Sequence, residues 1–363
     1  MPIRKKINTI QLLRGLAAIA VVLHHVAGYL KESNHLHFLG GYCRIGFAGV
    51  DLFFVISGFI IHFTSKSYLN TPSKLGEYWK KRTIRVYPIY WIVTTGIFLF
   101  QFLLPLLNKR AALNTGYPME WLAFVKTYLL LPVHFAINPV SWTLSYELFF
   151  YLMFSLLIIS KRLWVVPAGV LLFSAWHIFV EQYQHRTFGY NYYNFFFSSY
   201  NIEFFLGYLL FIVYDKGLFS MPTWLAWLGV ACSLMVIGSL GYGVIDGDYY
   251  KRFVVFGLTS VLLLHSLLKL EEAQQLTIHP LFIVLGDASY IIYLIHFPLI
   301  FFMNKLLLIT HIQLSSQGLV NYSYLIVLVV IGLGVLLHKL LEVPMNTYLM
   351  QISSRLKTGN SSS

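Results

Sequence analysis

Ten long apolar windows dominate this sequence of 363 residues and limit the folds that it can adopt. Each window is long enough to cross the roughly 30 Å hydrocarbon core of a bilayer as a helix. Charged residues make up only 11% of the chain, whereas soluble domains carry about 25%. Both features predict an all-α, polytopic membrane helical bundle with about ten transmembrane helices. The windows lie near 10–30, 45–65, 88–107, 143–160, 163–181, 193–214, 223–243, 252–268, 287–309 and 319–341.

The distribution of charge predicts how such a bundle lies in the membrane. The net charge is +12, and most of the 26 Lys and Arg residues fall on the same side as the N-terminus. Because positive residues collect on the cytoplasmic side of membrane proteins, we expect both termini in the cytoplasm. The basic residues lie in short loops between apolar runs, as topology signals do, so the charge does not indicate nucleic-acid binding.

The polar segments are too short for a second folded domain. We expect one membrane domain over 1–352 and a flexible cytoplasmic tail over 353–363, and the longest polar insert is 108–120. The first apolar run lacks a small-residue cleavage site, so we expect no cleavable signal peptide. Cys43 and Cys232 suggest no disulfide framework, and we expect neither a metal site nor a permanently bound cofactor.

The first apolar window carries two ionisable groups on one helical face. Arg14 and His25 are eleven residues apart, so they are related by about 1100°, or about 20° beyond three full turns. Their separation along the axis is about 16 Å, half of the hydrocarbon thickness, while His24 is turned about 100° away. Because ionisable groups inside a span are costly, they are usually kept for function. This helix therefore offers a fixed cation near one membrane surface and a titratable base near mid-depth.

Three carboxylates in other windows are candidates for pairing or for a site. Asp51 begins the second window, and two roles are open for it. It caps the helix or interacts with the helix dipole, or it orients a histidine of the neighbouring helix and stabilises the protonated ring. Glu147 lies a few residues into the fourth window, where it pairs with a buried arginine or, as we favour, orients a substrate hydroxyl. Glu203, in the sixth window, is expected to pair with another polar group.

A basic segment precedes the third window. Arg82 and Arg85 are spaced i, i+3 and share one helical face, so two guanidinium groups are available for phosphate. The alternative is a positively charged anchor on the cytoplasmic side. We expect Pro88 to end or kink this helix at the membrane surface. In the ninth window, His296 either packs through a hydrogen bond or belongs to a site.

Five stretches, in this order, resemble the acyltransferase-3 family of integral membrane acyltransferases. Each motif is short, but together they extend over 11–298. They are Leu13-Arg14-Gly15 followed by His25, Gly49-Val-Asp51-Leu-Phe-Phe-Val-Ile-Ser57-Gly58-Phe, Arg82-Thr-Ile-Arg85-Val-Tyr-Pro88, Ser141-Trp142-Thr-Leu-Ser145-Tyr-Glu147 and Ser289-Tyr290-Ile-Ile-Tyr293-Leu-Ile-His296.

The resemblance implies an enzyme of the bacterial cytoplasmic (inner) membrane that O-acylates surface sugars, such as lipopolysaccharide or exopolysaccharide. Acetyl-CoA is the usual presumed donor, and the chain is similar to the members without an extra extracytoplasmic domain. The resemblance also implies site residues. His25, Asp51 and Glu147 are expected to be catalytic; Arg14, Arg82 and Arg85 to bind the donor; and Trp142, Ser145, Tyr293 and His296 to bind the substrate.

Acyl transfer to a sugar hydroxyl needs a base, hydrogen-bond donors that stabilise the oxyanion, and residues that bind the anionic acyl-CoA. We expect His25 to be the base, with Asp51 as its orienter. Arg82 and Arg85 would hold the CoA phosphates on the cytoplasmic side, and Arg14 would line the route of the pantetheine arm. Direct transfer and an acyl-histidine intermediate both remain open, as do acetyl and longer acyl donors such as succinyl.

A function of another class fits the same physical features. A transporter or flippase of a sugar or lipid intermediate also needs about ten helices with buried ionisable groups. A purely structural scaffold fits poorly, because it would gain nothing from so many costly charges. Transfer of acetyl from labelled acetyl-CoA separates the enzyme from the transporter. In either case the bilayer is a partner, and for the enzyme acyl-CoA and a saccharide acceptor are too.

Overall fold

A computed structural model describes residues 7–107, 121–133, 136–181, 192–218, 220–244 and 249–359. The polar insert 108–120 lies outside the described residues. Within them, the regular elements are all helices, most of them α-helices joined by short 3-10 and π turns. In chain order, the α-helices are α1 (Asn8–Asn34), α2 (Ala48–Ser65), α3 (Leu75–Leu107), α4 (Trp121–Tyr128), α5 (Trp142–Ile159), α6 (Val165–Trp176), α7 (Tyr192–Phe196), α8 (Ser199–Lys216), α9 (Thr223–Leu240), α10 (Tyr249–Arg252), α11 (Leu258–Glu272), α12 (Pro280–Asp287), α13 (Ser289–Ile309), α14 (Ser316–Leu337) and α15 (Val343–Gly359).

Ten helical segments within these ranges are long and apolar enough to cross a membrane. Each overlaps one of the ten apolar windows, so the all-α, polytopic membrane fold is confirmed. The segments are Asn8–Asn34, Gly41–Tyr68, Pro72–Leu103, Pro139–Ile159, Lys161–Val180, Tyr192–Lys216, Thr223–Leu240, Tyr250–Glu272, Ser289–Ile309 and Ser316–Arg355.

Two helices extend through positions where a break was expected. Helix α3 continues from Leu75 to Leu107 through Pro88, so the proline does not end it, and a kink at Pro88 stays a prediction. In a membrane protein, neighbouring helices and hydroxyl side chains can satisfy the backbone groups that a proline releases, and α13 likewise contains Pro298. Helix α15 extends to Gly359, past residue 353, where the predicted flexible tail begins. The last four residues lie outside the described ranges.

The chain divides into two compact units. The first unit comprises residues 1–72 and 146–289, and the second comprises 73–145 and 290–363. In the first unit, α2 and α8 cross at two glycines. A Cβ atom on Gly58 would overlap the carbonyl oxygen of Phe204, and one on Gly207 would overlap that of Val55. Small residues let membrane helices approach closely.

The ends of α1 are fixed by other parts of the first unit. The backbone N–H groups of Asn8 and Thr9 donate to the two carboxylate oxygens of Glu271, each over 2.8 Å. A carboxylate at this position satisfies orphan donors and complements the positive end of the helix dipole. Beyond the other end, a 3-10 segment over Phe38–Phe47 folds back onto α1. It lies so close that a Cβ atom on Gly46 would overlap the carbonyl oxygen of Ala20.

Hydrogen bonds to backbone carbonyls join elements of the second unit. The hydroxyl of Tyr290 at the start of α13 donates to the carbonyl oxygen of Val86 in α3 over 2.7 Å. The side-chain amide of Asn138 donates to the carbonyl oxygen of Leu294 over 3.1 Å. These bonds hold α13 against α3 and against the turn before α5, and α13 is the helix that carries Tyr293 and His296.

Candidate active site

His25 lies in the C-terminal half of α1, where its ring is half-buried. Its Nδ1 atom is 3.0 Å from the carbonyl oxygen of Val21, one turn earlier in the same helix. Because a carbonyl oxygen can only accept, Nδ1 carries the proton and donates it to this bond. In the neutral ring the lone pair is therefore on Nε2. A backbone carbonyl thus fixes the tautomer, which is the task that the sequence analysis gave to Asp51.

Arg14 shares the face of α1 on which His25 lies. The helix is uninterrupted from Asn8 to Asn34, so the predicted angular relation between the two residues holds. Both side chains are half-buried. At 1.5 Å per residue, about 16 Å separates them along the axis. The fixed cation and the base therefore stand on the same side of one helix at different depths.

His24 connects His25 to the 3-10 segment beyond α1. Its Nδ1 atom donates to the carbonyl oxygen of Arg44 over 2.8 Å. The two imidazole rings meet edge to face, with 5.1 Å between their centroids. The His24 ring also lies edge-on to Phe47, at 5.5 Å. The orientation of the histidine pair thus depends on the segment that ends at Phe47.

The partner of Asp51 is Arg252, which the sequence analysis did not select. The Nε and Nη2 atoms of Arg252 donate to Oδ1 and Oδ2 of Asp51 over 2.8 and 2.9 Å. Both side chains are buried, and Asp51 is not exposed at all. The residue before α2 is Phe47, so Asp51 is not its N-cap, although it lies in the first turn. Asp51 therefore makes a bidentate ion pair with Arg252, and its predicted role as orienter of His25 stays a prediction.

Two aromatic rings and a second carboxyl surround this ion pair. The guanidinium carbon of Arg252 is 4.9 Å from the ring centroid of Phe47 and 5.3 Å from that of Tyr200. Its Nη2 atom also donates to the carbonyl oxygen of Phe47 over 3.4 Å. Glu203 is fully buried and lies within electrostatic range of both Asp51 and Arg252. Neither carboxyl oxygen of Glu203 has a hydrogen-bond partner among the described residues, so its pairing with a polar group stays a prediction.

Glu147 is half-buried near the start of α5, and the contact that the structure gives it is local. The hydroxyl of Tyr151, one turn later, donates to its Oε1 atom. This arrangement is compatible with the predicted contact to a substrate hydroxyl, which stays a prediction.

The basic segment of α3, in the second unit, contains two kinds of cation. Lys74 and Lys81 are exposed and bind the carboxylate of Glu77 over 3.0 and 2.8 Å. Arg82 is 7% exposed and its guanidinium lies 5.4 Å from the ring centroid of Tyr78, while Arg85 is half-buried one turn later. The lysines thus have the exposure expected of a cytoplasmic anchor, whereas the two arginines are turned towards protein.

The remaining predicted site residues also lie in the second unit. His296 is completely buried, and its Nδ1 atom donates to the carbonyl oxygen of Tyr293. The Tyr293 hydroxyl accepts a hydrogen bond from Thr143 over 3.1 Å, so this part of α13 contacts the first turn of α5. Trp142 is half-buried and Ser145 is buried in that turn. The structure therefore brings Tyr293 and His296 together and ties them to the motif that contains Trp142 and Ser145.

Residues 7–339 match the model of a family described as an acyltransferase domain. The chain belongs to this acyltransferase family. The match covers nearly the whole chain and confirms the resemblance that the five motifs carry.

Several curated proteins are similar to this member of the family. O-acetyltransferase OatA of Staphylococcus aureus is 26% identical over 319 residues, which cover 81% of this chain and 50% of OatA. The exopolysaccharide production protein ExoZ of Rhizobium meliloti is 35% identical over 139 residues, 38% of this chain and 42% of ExoZ. Acyltransferase MdmB of Streptomyces mycarofaciens is 28% identical over 169 residues, 44% of this chain and 42% of MdmB. The chain spans about half the length of the curated relatives it matches, and no solved structure matches it.

The first unit of this acyltransferase-family chain contains His25, whose tautomer is fixed, and the buried ion pair of Asp51 with Arg252. The 3-10 segment Phe38–Phe47 lies between them in the sequence. A neutral imidazole whose Nδ1–H is held by a carbonyl can accept a proton at Nε2. Among the described residues, no group of three or more His, Cys, Asp or Glu side chains is arranged to hold a metal ion. Arg252 was missed because a positive charge at the first residue of an apolar window is also typical of a loop. The signal for it was the pair of intramembrane carboxylates, Asp51 and Glu203, which need a cation.

Proposed function

We propose that this chain is a membrane O-acyltransferase that moves an acetyl or other short acyl group from acyl-CoA to a hydroxyl of a cell-surface polysaccharide or its lipid-linked precursor. The acyltransferase family supports the reaction type. The printed names of OatA and ExoZ, an O-acetyltransferase and an exopolysaccharide production protein, support acetyl transfer and a polysaccharide acceptor. The enzyme works in the bacterial inner membrane, with acyl-CoA on the cytoplasmic side.

The observation that carries the proposal is the tautomer of His25. With Nδ1–H bound to the carbonyl oxygen of Val21, Nε2 of the neutral ring is the basic atom. In the proposed reaction, Nε2 takes the proton of the sugar hydroxyl while the oxygen attacks the thioester carbonyl, and the CoA thiolate leaves and is protonated. Arg82 and Arg85 bind the CoA phosphates, and Glu147 orients the acceptor hydroxyl.

The first test removes the base. We expect His25→Ala to lower acetyl transfer from radiolabelled acetyl-CoA to isolated surface polysaccharide by about 100- to 10,000-fold, the usual contribution of a general base. His37→Ala, which changes an exposed histidine beyond the outer end of α1, is the matched control and should act like the unchanged protein. Full activity of His25→Ala in correctly inserted protein would contradict the proposed base.

The same assay tests the alternative that the chain is a transporter or flippase. A flippase would move the sugar intermediate without any acetyl chemistry, so neither transfer to polysaccharide nor hydrolysis of labelled acetyl-CoA would depend on the chain. Cells with and without the gene should then have equal acetyl content in their surface polysaccharide. We expect instead that deletion of the gene removes those acetyl groups and that His25→Ala does not restore them.

A further inference from the structure

A continuous series of contacts leads from Arg252 to the histidine pair of α1, and every residue in it belongs to the first unit. It begins at the ion pair with Asp51, where two hydrogen bonds fix the plane of the guanidinium group. A bidentate pair of this kind defines orientation as well as distance. Arg252 is 7% exposed, so water does not compete appreciably for its donors.

The fixed guanidinium group holds the last residue of the 3-10 segment in two ways. One donor reaches the carbonyl oxygen of Phe47, and the cation lies 4.9 Å from the centre of the Phe47 ring. The guanidinium carbon also lies 5.3 Å from the centroid of the Tyr200 ring. A π turn over Phe253–Gly257 begins directly after Arg252, and such turns shift the register of a helix and often occur at functional sites.

Phe47 and the rest of the 3-10 segment in turn fix the orientation of the histidine pair. The Phe47 ring contacts the His24 ring, and Arg44, three residues earlier, accepts the Nδ1–H bond of His24. The His24 ring lies edge-on to the ring of His25. The close approach at Gly46 leaves no room for this segment to slide along α1.

We propose that Arg252 is a positioning residue for the proposed base: through Asp51 and Phe47 it fixes the segment that orients His24 and, through it, the ring of His25. The proposal rests on the proposed function for its kinetic consequence but not for its geometry. Arg252 touches neither substrate nor reacting atoms in this role. Its effect is on the angle at which Nε2 of His25 meets the acceptor hydroxyl.

The kinetic test uses two disruptive changes and one conservative change. Arg252→Lys keeps the charge beside Asp51 but loses the planar second donor, and Phe47→Leu removes the ring while keeping its carbonyl oxygen. We expect both to lower kcat by about tenfold to 100-fold with KM for acyl-CoA unchanged, because small misplacements of a catalytic group cost this much. Phe47→Tyr keeps the ring and should retain nearly full kcat. An unchanged kcat in Arg252→Lys and Phe47→Leu would overturn the proposal.

Folding is checked in the same proteins. We expect Arg252→Lys and Phe47→Leu to reach the membrane and to elute as a single species in detergent, like the unchanged protein. A loss of folded protein that accounts for the whole drop in acyl transfer would mean that the ion pair only stabilises the fold, and the proposal would be wrong.

A chemical readout works even if the chain transfers no acyl group. Diethyl pyrocarbonate carbethoxylates imidazole nitrogen atoms, and mass spectrometry of the purified protein gives the rate at His24. We expect a several-fold faster modification of His24 in Arg252→Lys and Phe47→Leu, because the bond to Arg44 and the contact with Phe47 are loosened. Lys66→Gln, which opens an exposed ion pair with Asp215 at the other end of α2, should leave the rate unchanged. Equal rates of His24 modification in all these proteins would overturn the proposal. If the unchanged protein transfers no acyl group, that result counts only against the proposed function.

Discussion

A charged side chain inside a bilayer is tolerated when another group compensates it, and Asp51 and Glu147 have different partners in the first unit. Asp51 is bound by two donors of one arginine, whereas Glu147 receives a tyrosine hydroxyl. Removing one member of a buried ion pair typically costs about 3–5 kcal/mol, because the other charge is left uncompensated. Asp51 is therefore bound to the fold more strongly than Glu147, and Glu147 is the carboxylate better suited to exchange its partner for a substrate.

The arginines of α3 give a prediction for donor binding. Replacing Arg82 and Arg85 by Gln removes two charge-assisted contacts to the CoA phosphates. At about 1.5–3 kcal/mol for a hydrogen bond to a charged group, we expect KM for acyl-CoA to rise at least about tenfold, with KM for the acceptor unchanged. Initial rates at varied concentrations of each substrate measure both constants.

The control for this experiment comes from the same basic segment. Lys81 is exposed and already bound to Glu77, so Lys81→Gln removes one positive charge without touching the buried arginines. It should leave KM for acyl-CoA unchanged. If both variants raise that KM equally, the segment attracts the donor only by its overall charge. An unchanged KM in the arginine variant would refute the phosphate-binding role.

At the scale of helices, the packing of the first unit depends on positions where a side chain would not fit. Gly58 and Gly207 face each other's helices, and at both a Cβ atom would overlap a carbonyl oxygen of the opposite backbone. The aromatic core of this region, including Phe59 and Phe211 with ring centroids 5.3 Å apart, is arranged around this close crossing. In a membrane, where lipid is as apolar as the helix surface, such close contact is a main source of helix association.

Gly58→Ala tests this crossing. Inserting a methyl group where no space exists forces the two backbones apart, and overpacking of this kind costs about 1–3 kcal/mol. We expect a lower thermal unfolding midpoint in detergent for Gly58→Ala. Gly28→Ala in α1 is the control, because its Cβ atom would meet nothing within 4 Å and alanine favours a helix by about 1 kcal/mol over glycine. An equal midpoint for Gly58→Ala and the unchanged protein would show that the helices separate easily.

The sequence predicts the helices better than it predicts the contacts between them. The hydropathy of a span is summed over about 20 residues, so one atypical residue does not change the prediction. All ten windows correspond to helices. The relation of Arg14 to His25 is local as well and follows from helical geometry alone. The ion pair of Asp51 with Arg252 joins residues 201 positions apart, and no periodicity carries that information. The need for a buried cation could be inferred from Asp51 and Glu203, but the residue that supplies it is decided by how α2, α8 and the start of the eighth span pack.

At the scale of the whole molecule, the number of spans determines how the two ends of the chain are related. If the ten candidate spans of the described residues all cross the membrane, both termini lie on one side, and the excess of Lys and Arg predicts that this side is the cytoplasm. The short segment between the second and third spans is then expected to be cytoplasmic, and it leads directly into the basic part of α3 with Arg82 and Arg85. Acyl-CoA is produced in the cytoplasm, so the proposed donor-binding role requires this orientation.

Labelling of single cysteines tests the orientation. Cys43 and Cys232 are both free, and their replacement by Ala gives a background without thiols. In that background, Ser73→Cys marks the exposed start of the third span, next to the segment that follows the second span, and Gln313→Cys marks the exposed segment after the ninth. We expect a membrane-impermeant maleimide to label Gln313→Cys in right-side-out vesicles and to label Ser73→Cys only after the vesicles are opened. The opposite pattern would place Arg82 and Arg85 near the outer surface and would exclude their binding of cytoplasmic acyl-CoA. Labelling of both positions from one side would contradict the alternating arrangement of the spans between them, because an odd number of crossings separates these two segments.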